Sequence, residues 1–270
     1  MNENKVNVPV PNNPENLLDQ FYNFVEIVKI LREKCPWDSI QTNESIAYLL
    51  VEETYEMIDA IEKKDDIDFA KELGDVLLHV VMHAVMAEER GAFNMTDVLK
   101  KIQHKLVTRH PHVFGDVTVS GESDVMVNWE NIKMTEGQKS VLSGVPNNMP
   151  ALLRAQRIQH KASRVGFDWD NKDDVWDKVE EELKELRIEL VNKNSDKAMS
   201  EIGDLLFSIT NAARFEDIIA EEALQRTNNK FTHRFKYIEE KAIEQGKKLN
   251  DMTLAEMDAL WDEAKAGESR

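Results

Sequence analysis

Five carboxylates occur twice in this chain at one spacing. Glu52, Glu53, Glu56, Glu72 and Asp75 recur 129 residues later as Glu181, Glu182, Glu185, Glu201 and Asp204, with Gly74 and Gly203 in step. A solvated acidic face drifts in length and sign, whereas this one keeps acid type, spacing and glycine together in both copies. Crowded carboxylates repel one another and resist desolvation unless a cation neutralises them. An all-oxygen donor set suits a hard divalent ion, magnesium or manganese. The pattern therefore predicts two divalent-cation sites, or one site and its relic.

Helical geometry explains why such residues would converge. At about 100° per residue, Lys178, Glu182 and Glu185 fall within roughly 60° of one another along one edge of the apolar stripe Val179, Leu183, Leu186 and Leu190. On the next helix Lys197, Glu201, Asp204 and Ser208 line up beside Leu205 and Ile209. An antiparallel hairpin sets these edges against each other, which makes Glu182, Glu185, Glu201 and Asp204 the expected metal ligands. Glu53, Glu56, Glu72 and Asp75 form a second, weaker candidate. A mid-helix glycine costs about 1 kcal/mol relative to alanine, so Gly74 and Gly203 predict a close approach against each helix.

The basic residues separate the copies. Lys230 and Arg234, an i,i+4 pair, match Lys105 and Arg109 at an offset of 125 residues and suit phosphate binding. Lys178 and Lys197 fall instead on Leu49 and Asp68 in the first copy. The first half has the acids without the full set of lysines, so it fits a nucleotide-sensing module with little turnover better than a second catalyst.

The elements that must position these groups are helices. Of the 270 residues, 41% are hydrophobic, while 10 Gly, 7 Pro and 7% aromatics leave too few turn signals for a sandwich or barrel. The fold class is all-α. Helices are expected over 17–32, 43–63 with Thr42 or Asn43 as N-cap, 67–89, 95–109, 151–164, 173–192, 196–214 and 217–245, with a disordered tail over 1–16 and a linker over 135–150. Two tandem domains, 17–134 and 151–270, follow.

Net charge of −17 argues against a nucleic-acid or anionic-membrane partner. Cys35 is the only cysteine, which precludes an intrachain disulfide, and neither a signal peptide nor a membrane span is evident. A cytoplasmic location is the simplest expectation. His79 and His83 stand i,i+4 on an apolar helix without an evident third ligand, so they read as core or interface histidines. Trp261, in LAEMDALWDEAK, reads equally as a helix-packing residue and as a base-stacking platform.

Taken together, CPWD at 35–38, EETYEMIDAI at 52–61, ELGDVLLHVV at 72–81, VPNNMPALLRAQRIQHKASRVGFDW at 145–169, VWDKVEEELKEL at 175–186, EIGDLLF at 201–207 and NNKFTHRF at 228–235 resemble the MazG family of all-α nucleoside triphosphate pyrophosphohydrolases, in its long form with two tandem domains. The resemblance implies magnesium-dependent hydrolysis of a nucleoside triphosphate to monophosphate and pyrophosphate, with broad base tolerance. It also implies a homodimer in which hairpins from two chains complete four-helix bundles. It assigns Lys178, Lys197, Lys230 and Arg234 to the phosphates and Trp261 to the base, with catalysis in the second domain. Glu181, or whichever of Glu182 and Glu185 is less engaged with metal, would take the proton of the attacking water.

Overall fold

The computed structural model describes residues 7–121, 124–126, 128, 129, 132 and 140–268, and divides into two compact units, Met1–Thr118 and Val119–Arg270. Among the described residues there is no β-strand, so the all-α expectation holds. Residues 1–6 of the expected tail and 135–139 of the expected linker lie outside the described residues.

In the first unit α1 (Leu17–Lys34) is followed by a 3-10 turn (Asp38–Ile40), α2 (Ala47–Lys63), α3 (Asp66–Glu89), α4 (Met95–Arg109) and the single turn α5 (Pro111–Phe114). Local chemistry sets the boundaries. The Asn16 side chain accepts from the amides of Leu18 and Asp19 and starts α1. Asn94 and Asp97 form a reciprocal capping box at α4. Helix α2 begins four residues later than expected. Thr42 and Ser45 bond reciprocally in a turn ahead of it, and the Asn43 side chain contacts the His83 ring at 2.7 Å and its carbonyl at 3.2 Å, so neither Thr42 nor Asn43 caps the helix. Val28, Ile46, Val81, Met82, Val85 and Met86 form the buried core where α1 meets α3.

The second unit contains α6 (Ala151–Ser163), α7 (Lys172–Val191), α8 (Ser195–Phe215), α9 (Ala220–Glu244), a 3-10 turn (Leu249–Asp251) and α10 (Leu254–Glu268). Helix α6 is tied down by buried glutamines. Gln159 donates to the carbonyl of Phe207, while Gln156 bridges the carbonyl of Ile218 and the amide of Ala220. The buried Lys161 ammonium donates to the carbonyls of Val141 and Ser143, which secures the segment ahead of α6. Helices α9 and α10 share a core of Ile238, Ala242, Met252 and Leu260.

Both hairpins turn on the same two residues. Lys64 (φ 56°) and Lys193 (φ 55°) adopt the left-handed conformation that ends α2 and α7. Asp65 and Asn194 follow them and cap α3 and α8. The 129-residue repeat thus carries the turn chemistry along with the acids, and so preserves the register in which the hairpin helices face each other.

Arg32 is the polar fastener of the first unit. Its guanidinium pairs with Glu89 of α3 through 2.9 and 2.6 Å contacts and donates to the carbonyls of Asp38 and of Gln41, the latter at 3.0 Å. Arg32→Met should therefore lower hydrogen-exchange protection of α1 and of the C-terminal turns of α3 by about 2 to 3 kcal/mol, with α7 and α8 unaffected. Unchanged protection in α1 would assign the stability to apolar packing alone.

Candidate functional site

The two hairpins bring the repeated acids together from facing helices. One carboxylate oxygen from each of Glu182, Glu185 and Glu201 lies within 4.8 Å of the others, and Glu53, Glu56 and Glu72 do the same in the first unit. Glu182 is 7% exposed and Glu72 only 2%, so each cluster has one carboxylate in the interior. Asp204 and Asp75, expected as fourth ligands, stand outside these groups, one turn further along α8 and α3.

Burial, followed by the charges of Glu185, Asp204, Glu182 and Glu189, holds the Glu201 carboxyl above the ordinary range. In the first unit burial, with Asp75, Glu56, Glu72 and Glu52, raises Glu53 in the same way. The hairpin accordingly builds the conflict that a cation would relieve. Three carboxylate oxygens so spaced, with no nitrogen or sulfur donor among them, fit a hard divalent ion.

The lysines are not placed alike. Lys178 lies 2.7 Å from Glu182 and 3.0 Å from Glu181, and these hydrogen bonds raise the pKa of its ammonium. Glu181 is the more exposed of the two acids, on the solvent side of Lys178. Lys197 faces Glu189 across the hairpin at 3.9 Å. Glu189 escaped the sequence reading because its first-half counterpart is Ala60, and only duplicated acids were considered; its i,i+4 spacing from Glu185 was the available signal. Lys71, 2.5 Å from Glu72, escaped likewise, since Ser200 occupies its position in the second copy.

Lys230, Arg234 and Trp261 belong to α9 and α10. Arg234 pairs with Glu268 at 2.6 Å and stands over the Trp261 ring at 5.3 Å, while Phe231 meets the same ring at 5.1 Å. Trp261 also packs on the α9–α10 core. Arg234, Phe231 and Trp261 are thus joined to one another. In the first unit Lys105 lines a cavity of about 300 Å³ with Phe93, Val98, Lys101 and Ile102.

Among the described residues, the close approach expected at the glycines is not made. Nothing lies within 4 Å of a Cβ built on Gly74 or Gly203. The surface around Gly203 is apolar, with Ile202, Leu206 and Phe207 all more than 40% exposed. Among the described residues no helix is long and apolar enough to cross a membrane.

Two acidic hairpins of this kind define a tandem all-α domain protein, and comparison with known proteins places it. The model of the MazG nucleotide pyrophosphohydrolase domain matches residues 41–114 and 172–238, so each match contains one acidic cluster. The chain is 45% identical over 253 residues to the nucleoside triphosphate pyrophosphohydrolase/pyrophosphatase MazG of Thermotoga maritima, covering 92% of this chain and 96% of that protein. It is 40% identical over 259 residues to the nucleoside triphosphate pyrophosphohydrolase of Escherichia coli K12, covering 94% and 98%. The YabN protein of Bacillus subtilis is 46% identical, with all of this chain spanning 56% of that one. The chain belongs to the MazG family of nucleotide pyrophosphohydrolases, hydrolases acting on acid anhydrides, as its motifs implied.

The raised Glu201 gives a pH test with a defined sign. Between the ordinary glutamate pKa and the raised folded-state value, the folded protein binds more protons than the unfolded chain, so this group's contribution to stability falls as pH rises through that window. In EDTA, Glu201→Gln should therefore raise the Tm at pH 7, and the gain should vanish at about pH 4, where the wild-type carboxyl is protonated in both states. A lower Tm for the variant at pH 7 would mean that the carboxylates are not in conflict.

Proposed function

We propose that the second unit hydrolyses nucleoside triphosphates and deoxynucleoside triphosphates to the monophosphate and pyrophosphate, using Mg²⁺ or Mn²⁺, with broad tolerance for the base. The observation that carries this reading is the convergence of Glu182, Glu185 and Glu201 within 4.8 Å, with Lys178 directly against Glu182. Glu182, Glu185 and Glu201 would hold the ion, with Asp204 completing the set from the next turn of α8. When bound, a divalent ion there offsets triphosphate charge and acidifies nearby water.

The chain's own groups do the rest. Glu181, or whichever of Glu182 and Glu185 is less engaged, accepts the proton of the water that attacks the α-phosphorus. Lys178 and Lys197 lie at opposite ends of the cluster and hold phosphate oxygens as the pyrophosphate leaves. Lys230 and Arg234 add charge from α9, with Arg234 exchanging Glu268 for phosphate, and Trp261 offers a face that stacks on any base. We assign a homodimer to this chain. The open space beside Gly203 and the exposed Ile202, Leu206 and Phe207 support a second copy completing the bundle. We place the enzyme in the cytoplasm without nucleic-acid or membrane partners, consistent with its charge of −17. The domains are assigned to 17–134 and 151–270, joined by the linker at 135–150.

Glu53, Glu56, Glu72 and Asp75 form the weaker site. Asp68 stands where the second unit has Lys197, a difference of two charges at a position facing phosphate. Anion-exchange analysis after incubation with each triphosphate and Mg²⁺ should show monophosphate and pyrophosphate, with diphosphate and phosphate refuting the reaction class. Glu53→Gln with Glu56→Gln should retain most turnover, whereas Glu182→Gln with Glu185→Gln should lower kcat by at least about 100-fold. Equal losses would overturn the inequality of the units.

Trp261→Ala should raise KM by a similar factor for every nucleotide, since each base presents a π face. An unchanged KM would leave Trp261 as the core residue of α9 and α10.

A further inference from the structure

Helix α10 lies antiparallel on α9, and its contacts run in order along both helices. Leu260 shares a core with Ile238, the Tyr237 hydroxyl donates to Glu263 at 3.2 Å, and Arg234 reaches Glu268. The last described residue of α10 is therefore fastened to a side chain that the sequence assigns to phosphate.

The fastening uses one edge of the guanidinium. Arg234 Nε donates to Glu268 Oε1 at 3.1 Å and to Oε2 at 3.2 Å, and Nη2 donates to Oε2 at 2.6 Å. A guanidinium presents this same forked edge to the oxygens of a phosphate, so carboxylate and phosphate compete for it and cannot share it. The Arg234 side chain is 12% exposed and that of Glu268 30%, which limits the screening of the pair by water. The bonds from Arg234, supplemented by the charges of His233 and Lys230, hold the Glu268 carboxyl below the ordinary range, so it is an anion at neutral pH.

The contact extends to the aromatic platform. The guanidinium carbon of Arg234 stands 5.3 Å from the centre of the Trp261 ring, and Phe231 meets that ring at 5.1 Å. Glu268 thus holds Arg234 where it also covers Trp261. The end of α10 can nevertheless lift without opening the core. Leu260 and Ala264 are the buried residues of this helix, whereas residues 265–268 are exposed. Gly267 lies in that final turn and lowers its helical propensity by about 1 kcal/mol relative to alanine.

We propose, on the assignment of Arg234 and Trp261 to the substrate, that Glu268 stands in for a substrate phosphate and that the final turn of α10 is an autoinhibitory strap. Nucleotide binds only where Glu268 has released Arg234, so its apparent affinity is reduced by the fraction of molecules in which the strap is closed. The buried part of α10 stays in place as the anchor, and only residues 265–268 fray. The second unit in this way carries its own competing anion, tethered beside the group it blocks.

The test is calorimetric titration of the full-length chain with the α,β-methylene analogue of ATP in the presence of Mg²⁺. Glu268→Gln keeps the size of the side chain and removes its charge, and should tighten binding about 3- to 10-fold, the scale of a partly exposed bidentate ion pair. The gain should disappear when Arg234→Met is added. Unchanged or weaker binding by Glu268→Gln, or a gain that survives Arg234→Met, would overturn the strap. Arg234→Met alone separates this outcome from failure of the substrate assignment. If it weakens binding while Glu268→Gln is neutral, Arg234 keeps its phosphate and only the strap is lost; if neither variant changes affinity, both are lost. Should Glu268→Gln fail to fold, millisecond hydrogen exchange of the wild-type chain decides the matter. Adding the analogue should speed exchange over 265–268 while 254–264 keep their protection, and an unchanged or slower final turn overturns the proposal.

Discussion

Mutual repulsion among carboxylates on facing helices is the constraint around which each half of this protein is arranged. Two helices joined by a turn of two or three residues bury an apolar seam, and acids at the edge of that seam are held within 4.8 Å of one another whether or not they favour it. Isolated, such a group would move apart or take up protons. Here the hairpin is fixed from outside, by the buried Gln159 of α6 against α8 and by Arg32 with the α1 core against α3. The packing energy of the surrounding helices therefore sustains an arrangement that is unfavourable by itself, and a cation bound there would convert that unfavourable charge into affinity.

This division of labour explains what could be read from the sequence. The acids were legible because the repeat fixes type, spacing and glycine, and because helical periodicity converts spacing into a shared face. The breaks between the hairpin helices were equally legible from the helix ranges, and the left-handed lysine and capping side chain that make each turn need only local interactions. Where a decision depended on long-range partners, local pattern failed. Thr42 and Asn43 have good capping chemistry, yet one is engaged by Ser45 and the other by His83, 40 residues away. Glu189 and Lys71 were invisible to a search by duplication because each exists in only one copy. The glycines were identified as unusual, but among the described residues the close approach they predict is not made.

Those unduplicated residues carry the divergence between the halves. In the second unit cations stand at two points along the acidic edge, with Lys178 against Glu182 and Glu181 on α7 and Lys197 of α8 against Glu189. A ligand bearing several negative charges can then lie between them. In the first unit the cation is Lys71, immediately beside Glu72 and partly neutralising the acidic group itself. It lowers local negative charge without creating a place for an anion, and Asp68 in the Lys197 position acts further against one.

A shared backbone with different charge placement thus gives two sites of different character without any change in fold. The hairpin register comes from the apolar seam and the turn, both of which recur with the 129-residue period, so edge residues can be exchanged at little structural cost. The exchange of serine for histidine between Ser208 and His79, or of glutamate for alanine between Glu189 and Ala60, changes the chemistry of the edge and leaves the seam in place. Duplication supplied two copies of a geometry that concentrates negative charge. The copies differ at the few positions beside it, where the cations stand at different points relative to the acids.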